Sequence, residues 1–266
     1  MYRRAVVAEA VRLRDEEGLG ARRVARRLGI PLGTVRDWHA GKLPRHSREM
    51  DRDGSPLPPA CPRCNQDEHR FTELGSAYVY LLGLYLGDGS ISSHPRGVYK
   101  LRVFLDKKYP QIVDECAQSM GKVMPDNAVG RRLTISNCWE VYSYSRSWPC
   151  LFPQHGPGMK HTRRIWLAEW QQELAERWPE ALLRGMIQSD GCRFINTRGK
   201  SDSWSAPRYE FKNVSTDITS IFCTACDKLS LRWTAAFPKS ETGGVSIYVS
   251  RKADVARMDE FIGPKS

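Results

Sequence analysis

The sequence predicts an α+β protein in which a duplicated αββαββα saddle with pseudo-two-fold symmetry follows a small all-α domain. Three observations carry this prediction. A short motif that ends in Asp-Gly occurs twice, similar strand and helix patterns surround both copies, and a basic helical segment precedes them.

The doubled motif predicts two helices that meet. Residues 81–89 read LLGLYLGDG and residues 183–191 read LRGMIQSDG, so Asp88 and Asp190 each end an apolar helix. Small residues four positions apart in both segments would let the two backbones approach closely. Two carboxylates at helix C-termini, where the helix dipole adds negative charge, are unfavourable unless cations bind beside them. The motif pair therefore predicts a metal site.

The surrounding repeat predicts the two sheets. Residues 99–103 match residues 209–213 at an offset of 110, and residues 141–146 match residues 246–251 at an offset of 105. Alternating polar and apolar positions predict strands. Each half therefore reads as helix, two strands, helix, two strands and helix, which predicts two antiparallel sheets with the motif helices on the axis. The other predicted helices cover residues 109–120, 151–156, 217–229 and 255–263.

The N-terminal segment predicts a DNA-binding module. Residues 1–48 contain 12 Lys+Arg and 5 Asp+Glu, a net charge of +7 that favours polyanions. Helices are predicted over residues 2–17 and 21–29, and a third begins with Thr34 as its N-cap. This pattern resembles a helix-turn-helix, although an ordinary three-helix module fits it too. In a helix-turn-helix, Thr34, Arg36, Asp37 and His39 face the major groove, and Arg22, Arg23 and Lys42 meet phosphates.

Composition shifts predict four segments: a helix-turn-helix at residues 1–43, a linker with a cysteine knuckle at 44–73, and saddle halves at 74–178 and 179–266. The segment from residue 44 to 59 is polar and rich in Pro and Gly, which is typical of linkers. No apolar run of about 18 residues and no secretory signal is found, so we expect a cytoplasmic protein, associated with the nucleoid if it is bacterial.

The eight cysteines indicate reduced thiols or metal ligands rather than a disulfide framework. Cys61 and Cys64 have the spacing in which two thiolates grip one Zn²⁺. His69, Cys150 and His155 are candidates for the remaining ligands. The pair Cys223 and Cys226 has the same spacing but lies in an apolar helical stretch, where cysteines usually pack as small core residues.

Residues 74–264 resemble the single-chain, two-motif LAGLIDADG homing endonucleases. The resemblance assigns the catalytic acids to Asp88 and Asp190. It implies binding of double-stranded DNA, hydrolysis of one phosphodiester on each strand, and two or more Mg²⁺ ions between the acids and the phosphates. It also implies basic or polar residues at strand ends beside the metals, for which Arg146 and Arg251 are the main candidates and Lys252, Asp106 and Gln188 are further ones.

The same resemblance implies that the strands follow the major groove and that alternate side chains read base edges. A solvated strand surface is the alternative for each single residue. The basic residues expected to contact DNA are Arg96, Lys100, Arg102, Arg131, Arg198, Lys200, Arg208, Lys212 and Lys239.

The sequence leaves two main functions open. The first is a site-specific double-strand endonuclease whose saddle works as a monomer, with dimerisation through the helix-turn-helix as an option. The second is a non-cleaving transcriptional regulator, because some bacterial regulators combine this fold with a helix-turn-helix. An RNA-processing nuclease or an intein remnant is a further alternative. The two aspartates favour the enzyme, and the N-terminal module favours the regulator.

Overall fold

Two compact units make up the chain, Met1–His69 and Arg70–Ser266. The computed structural model describes residues 2, 4–44, 61, 64, 69, 71–197, 205–238 and 243–263. Each unit has its own hydrophobic core. Among the helices of these ranges, none combines the length and the apolar character that a membrane span requires.

The N-terminal unit contains the three predicted helices, α1 (Arg4–Asp15), α2 (Ala21–Leu28) and α3 (Leu32–His39). Gly29 ends α2 in the left-handed conformation, at φ 65°. The sequence predicted Thr34 as the N-cap of α3, but Pro31 occupies that position. Proline suits a helix start, since its fixed φ matches the helix and its missing N–H would have no partner there.

The Arg70–Ser266 unit, called the saddle unit below, contains two similar halves. The first half folds as helix, two strands, helix, two strands and helix. Its four strands form one antiparallel sheet in the order β1-β2-β4-β3. The elements are α4 (Ser76–Asp88), β1 (Gly89–His94), β2 (Val98–Asp106), α5 (Pro110–Val123), β3 (Val129–Leu133), β4 (Cys138–Ser145) and α6 (Trp148–Leu151).

The second half repeats this order, and its sheet has the equivalent arrangement β5-β6-β8-β7. The duplicated αββαββα prediction is therefore confirmed. A connecting helix α7 (Glu169–Arg177) precedes the second half. The elements are α8 (Pro179–Asp190), β5 (Gly191–Thr197), β6 (Ser205–Asn213), α9 (Thr216–Lys228), β7 (Trp233–Ala236), β8 (Val245–Val249) and α10 (Lys252–Ile262).

One helix of the first half lies earlier than predicted. The sequence placed it over residues 151–156, whereas α6 covers Trp148–Leu151. Pro149 fits the first turn of this helix, and Pro153 follows its end, where proline cannot continue a helix. Helix α7 was not predicted at all.

The strand register corrects the alignment of the two halves. Gly89 pairs with Val103, and Gly191 pairs with Phe211, so these partners are equivalent at a separation of 108 residues rather than 110. Val141 and Ile247, which pair with those partners, are equivalent at 106 rather than 105. The second change has a large effect, because a slip of one residue moves every side chain to the other face of a sheet.

Helices α4 and α8 pack against each other through their glycines. A Cβ atom on Gly83 would lie 2.6 Å from the carbonyl oxygen of Leu182 and 2.9 Å from the Cα of Gly185. A Cβ on Gly185 would lie 2.9 Å from the backbone nitrogen of Leu84. These distances leave no room for a side chain, so the predicted close approach of the motif helices is confirmed.

This packing predicts a strong effect of one added methyl group. Gly185→Ala should lower the free energy of unfolding by about 3 kcal/mol or more, because its neighbours are backbone atoms that cannot move aside. Gly121→Ala, in α5 with no atom within 4 Å of the new Cβ, is the matched control and should raise stability by about 0.5–1 kcal/mol. Urea unfolding measures both. Equal stability of the two variants would contradict the close packing of α4 and α8.

Candidate active site

The two motif aspartates occupy equivalent positions at the ends of the packed helices. Asp88 is the last residue of α4 and Asp190 the last of α8, and each precedes the glycine that starts a strand. Both are half-buried. A Cβ on Gly87 would lie 3.1 Å from the carboxyl carbon of Asp190, so this carboxylate lies against the end of the other motif helix. The packing of α4 and α8 therefore brings the two acidic helix ends together.

A cleft of about 340 Å³ opens beside these helix ends. Its lining combines one acid, two lysines, a histidine and an amide with the end of α4. The residues are Leu86, Gly87, Lys160, His161, Asp190, Lys212, Asn213, Val214, Ile218 and Gly244.

Lys160 reaches the end of α4 from the loop between α6 and α7. Its Nζ donates to the carbonyl oxygens of Gly87 at 2.8 Å, Leu86 at 3.1 Å and also Tyr85. These last-turn carbonyls have no partner within the helix, and a cation there also opposes the helix dipole. Lys160 thus places a positive charge where the helix end and the acids concentrate negative charge.

The charges of both acids affect the pKa of Lys160. Burial lowers the pKa of its ammonium to about 8, and the charge of Arg163 acts in the same direction. The charges of Asp190 and Asp88 act in the opposite direction. At neutral pH the ammonium is therefore still mostly protonated.

Asn213 fixes the orientation of one acid. Its Nδ2 donates to Oδ2 of Asp190 at 2.7 Å, and its Oδ1 accepts from the backbone nitrogen of Ser215 at 2.8 Å. The strand register makes Leu105 its equivalent in the first half, and Leu105 is buried in the core. The two acids therefore have different neighbours despite the duplicated fold.

The donor set at the helix ends fits a divalent cation. Carboxylate oxygens are hard ligands of the kind that Mg²⁺ prefers, and Mg²⁺ usually keeps several water ligands, for which the open cleft leaves room. Asp88 and Asp190 would hold such ions. The position of Lys160 supports this fit, because it shows that a cation is favourable at the same helix end.

Two αββαββα halves, a glycine-packed helix pair and an aspartate at each helix end define the arrangement. This element order and sheet topology are those that the resemblance to the LAGLIDADG homing endonucleases implied. No family model matches the sequence, and no curated protein matches it.

Several solved structures are similar to this chain. I-DmoI in complex with DNA and Mn is 15% identical, with a TM-score of 0.46, and the match covers 71% of this chain and 97% of that one. The N-terminal LAGLIDADG domain of DUF199/WhiA is 12% identical, with a TM-score of 0.44 and coverage of 73% and 88%. The I-SmaMI LAGLIDADG homing endonuclease bound to cleaved DNA is 11% identical, with a TM-score of 0.46 and coverage of 72% and 84%.

The two arginines proposed from strand ends do not lie beside the acids. Arg146 follows the end of β4, roughly 17 Å along the strand from the row that contains Gly89, and donates to the carbonyl of Arg96 at 3.1 Å. Arg251 is the exposed N-cap of α10, roughly 13 Å beyond Ile247 in the same direction. The sequence identified strand ends correctly, but these ends point away from Asp88 and Asp190.

The three further candidates have other positions. Gln188 is buried, where its Oε1 accepts from Tyr80 at 2.5 Å and its Nε2 donates to the carbonyl of Ile262 at 3.2 Å. Asp106 accepts from the backbone nitrogen of Lys108 in the turn after β2. Lys252 is exposed at the start of α10. Gln188 therefore has a structural role in the packing of α4, α8 and α10.

The outer faces of the two sheets carry much of the positive charge expected from the sequence. Alternation along the strands points Lys100 and Arg102 outward from the first sheet, opposite the buried Leu101 and Val103. Arg208 and Lys212 point outward from the second sheet in the same way. Arg96 lies in the turn between β1 and β2. The remaining candidates Arg198, Lys200 and Lys239 lie outside the described residues.

Arg131 lies on the opposite face from the one predicted. It pairs with Val141, whose side chain points to the helices, and its guanidinium contacts Asp114 of α5. Its neighbour Arg132 points outward instead and contacts Glu140 at 2.6 Å. Spacing alone did not distinguish these adjacent arginines, because the alternation of β3 depends on its pairing with β4.

One acid lies within the basic face of the first sheet. The Glu140 carboxylate is fully buried between Lys100, at 2.6 Å, and Arg132. Burial alone would raise its pKa, but the hydrogen bonds and charges of these two cations outweigh burial and hold the pKa below its usual value. Glu140 therefore neutralises part of the positive charge on this face and orients the side chain of Lys100.

The N-terminal candidates lie mainly on exposed surface. Arg22 and Arg23 are exposed on α2, and Arg36 is exposed on α3. Lys42 is exposed and lies 3.7 Å from Asp37. Thr34 and His39 are half-buried, so a smaller part of each side chain is available for a partner.

Proposed function

We propose that the Arg70–Ser266 unit is a site-specific endonuclease that hydrolyses phosphodiesters of double-stranded DNA with Mg²⁺ bound by Asp88 and Asp190. The observation that carries this proposal is the meeting of two acidic helix ends at an open cleft, beside one partly buried ammonium that both acids attract. Purely structural carboxylates would not require such a cleft. A metal-dependent site for phosphates does require one.

The sheets supply a surface that fits DNA. Two-stranded antiparallel ribbons enter the major groove, and the two halves match the pseudo-two-fold symmetry of the duplex. Arg102 and Arg208 project from the outer faces among aromatic side chains, with Arg208 5.1 Å from the ring centre of Tyr248. These guanidinium groups can form paired hydrogen bonds with guanine or contact phosphate oxygens.

In this proposal, each residue of the cleft has a separate role in hydrolysis. Asn213 holds the Asp190 carboxylate in one orientation. Lys160, fixed by three carbonyl groups, stabilises negative charge that develops on the scissile phosphate, and its partly buried position strengthens this interaction. Lys212 lines the same cleft and adds positive charge on the side of the second half. When bound, Mg²⁺ supplies an activated water and neutralises charge on the phosphate oxygens.

The unequal neighbours of the two acids predict unequal cleavage of the two strands. Asn213→Leu copies the Leu105 environment into the second half and removes the hydrogen bond to Asp190. We expect it to slow cleavage of one strand by about 10- to 100-fold, as loss of an outer-shell partner does at metal sites, and to leave the other strand within about 3-fold. Strand-specific end labels in a single-turnover assay measure both rates. Equal slowing of both strands would contradict this asymmetry.

The endonuclease proposal is tested on a randomised plasmid library. We expect the full chain to cut a subset of sites with Mg²⁺ and none with EDTA, and Asp88→Asn/Asp190→Asn to bind the selected site without cutting it. Binding by the unchanged chain without any cleavage would overturn the nuclease proposal.

The second candidate function is a DNA-binding regulator, which the exposed basic surface of α2 and α3 favours. Here the saddle reads DNA and the acids have only structural roles. Binding of a specific site by the full chain, without cleavage under any divalent cation, is the result that this alternative predicts. Substitution of Arg22, Arg23 and Arg36 by alanine should then weaken binding and reduce its salt dependence.

A further inference from the structure

Three metal-ligating side chains come together at the end of the N-terminal unit. The ligand atoms of Cys61, Cys64 and His69 lie within 4.8 Å of one another. The Sγ of Cys64 is 3.2 Å from the Nε2 of His69. The sequence predicted the cysteine pair as a zinc site and left His69 as one of several candidates, and the structure brings His69 to the pair.

These separations are close to those of a tetrahedral zinc site. With Zn–S near 2.3 Å and Zn–N near 2.05 Å, tetrahedral geometry separates two sulfur ligands by about 3.8 Å and a sulfur from a nitrogen by about 3.6 Å. The separation of 3.2 Å between Cys64 and His69 is slightly shorter than the tetrahedral value, and all three ligand atoms lie within 4.8 Å of one another, so small side-chain movements bring them to this geometry. Neither Cys61 nor Cys64 belongs to a disulfide, so a disulfide does not account for their proximity.

The surroundings of Cys64 also need an explanation. Cys64 is only 4% exposed, although none of the described residues between Lys42 and His69 belongs to a helix or a strand. A small unit gains stability from a bound metal, because the binding free energy adds directly to the folding free energy.

We infer that Cys61, Cys64 and His69 bind a structural Zn²⁺ ion, with the cysteines as thiolates and His69 bound through Nε2. Zinc stabilises the segment from residue 61 to 69 and has no part in DNA hydrolysis. The site is separate from the oxygen ligands of Asp88 and Asp190, which suit a harder cation.

Zinc analysis of the full chain tests this site. We expect one zinc ion per chain after purification without chelator. Because loss of an outer-shell partner already costs about 10- to 100-fold in affinity, Cys61→Ser, Cys64→Ser and His69→Ala should each weaken zinc binding by more than about 100-fold. Cys223→Ser is the matched control, since it has the same spacing from Cys226 within α9 and burial raises the pKa of its thiol to about 11, which disfavours a thiolate.

A ligand exchange separates loss of metal from loss of folding. His69→Cys should keep metal binding and increase the thiolate-to-metal charge-transfer absorption of the Co²⁺-loaded chain by the contribution of one thiolate. A chain without zinc, zinc binding that is unchanged in the Cys61, Cys64 and His69 variants, or no spectral change in His69→Cys would overturn the inference. A thiol–imidazole hydrogen bond without metal would give the first of these results.

Discussion

Lys160→Met is expected to reduce the rate of DNA cleavage by about 10²- to 10³-fold, the effect of removing one preorganised group that stabilises developing charge. Methionine has a similar length but no charge and no hydrogen-bond donor for the α4 carbonyls. DNA affinity should stay within a few-fold, because the single charge lies at the cleft rather than along the sheets. Single-turnover cleavage and equilibrium binding measure the two effects separately.

Lys160→Met should also lower the free energy of unfolding in EDTA by about 1–3 kcal/mol, since it leaves partly buried carbonyls without a donor. Mg²⁺ should restore part of this loss by neutralising Asp88 and Asp190. Lys228→Met is the control, because Lys228 forms an exposed ion pair with Glu176 at 3.3 Å and should change neither cleavage nor stability measurably. An unchanged cleavage rate in Lys160→Met would show that Lys160 has no role in the proposed hydrolysis.

Asp190→Asn and Asp88→Asn should each lower cleavage by about 10³-fold or more, because each removes a charged metal ligand from the site. Asparagine keeps the shape of the side chain, so the packing of α4 against α8 and the affinity for DNA should be preserved. Gel assays of nicked and linear products under single-turnover conditions measure the loss on each strand.

Asp106→Asn is the matched control for these two variants. Asp106 also follows the pattern of an acid at the end of a regular element, but it accepts a turn hydrogen bond after β2. We expect it to cleave at the unchanged rate. An equal loss in all three variants would indicate a general effect of negative charge rather than a metal site at the helix ends.

The sequence was sufficient to predict the packed helix pair on the axis of the fold. Gly83, Gly87 and Gly185 lie in apolar segments that each end in an aspartate, and helical spacing alone places these features on faces that can pack. It was also sufficient for the duplicated order of helices and strands, since alternation and turn residues mark the strands locally. These predictions depend on neighbours within about one helical turn or one strand.

The sequence was not sufficient for residues whose partners are distant along the chain. Lys160 contacts Gly87, 73 residues earlier, from a loop without any periodic pattern, so no local signal identified it. The separation between equivalent residues of the two halves is not constant along the chain. The connection from Gly191 to its partner Phe211 is six residues longer than that from Gly89 to Val103, so the separation changes between the first and second strands of each half. Arg146 and Arg251 were matched at an offset of 105, one residue short of the offset of 106 that the strand pairing gives, so they are not equivalent.

The location of the metal tests the central claim most directly. A crystal structure of the full chain with its selected DNA site and Mn²⁺ would show anomalous peaks at the metals. We predict peaks within about 2.2 Å of carboxylate oxygens of both Asp88 and Asp190, facing the scissile phosphates. Carboxylates that contact only Lys160 and Asn213, with no metal between them and the DNA, would contradict the account.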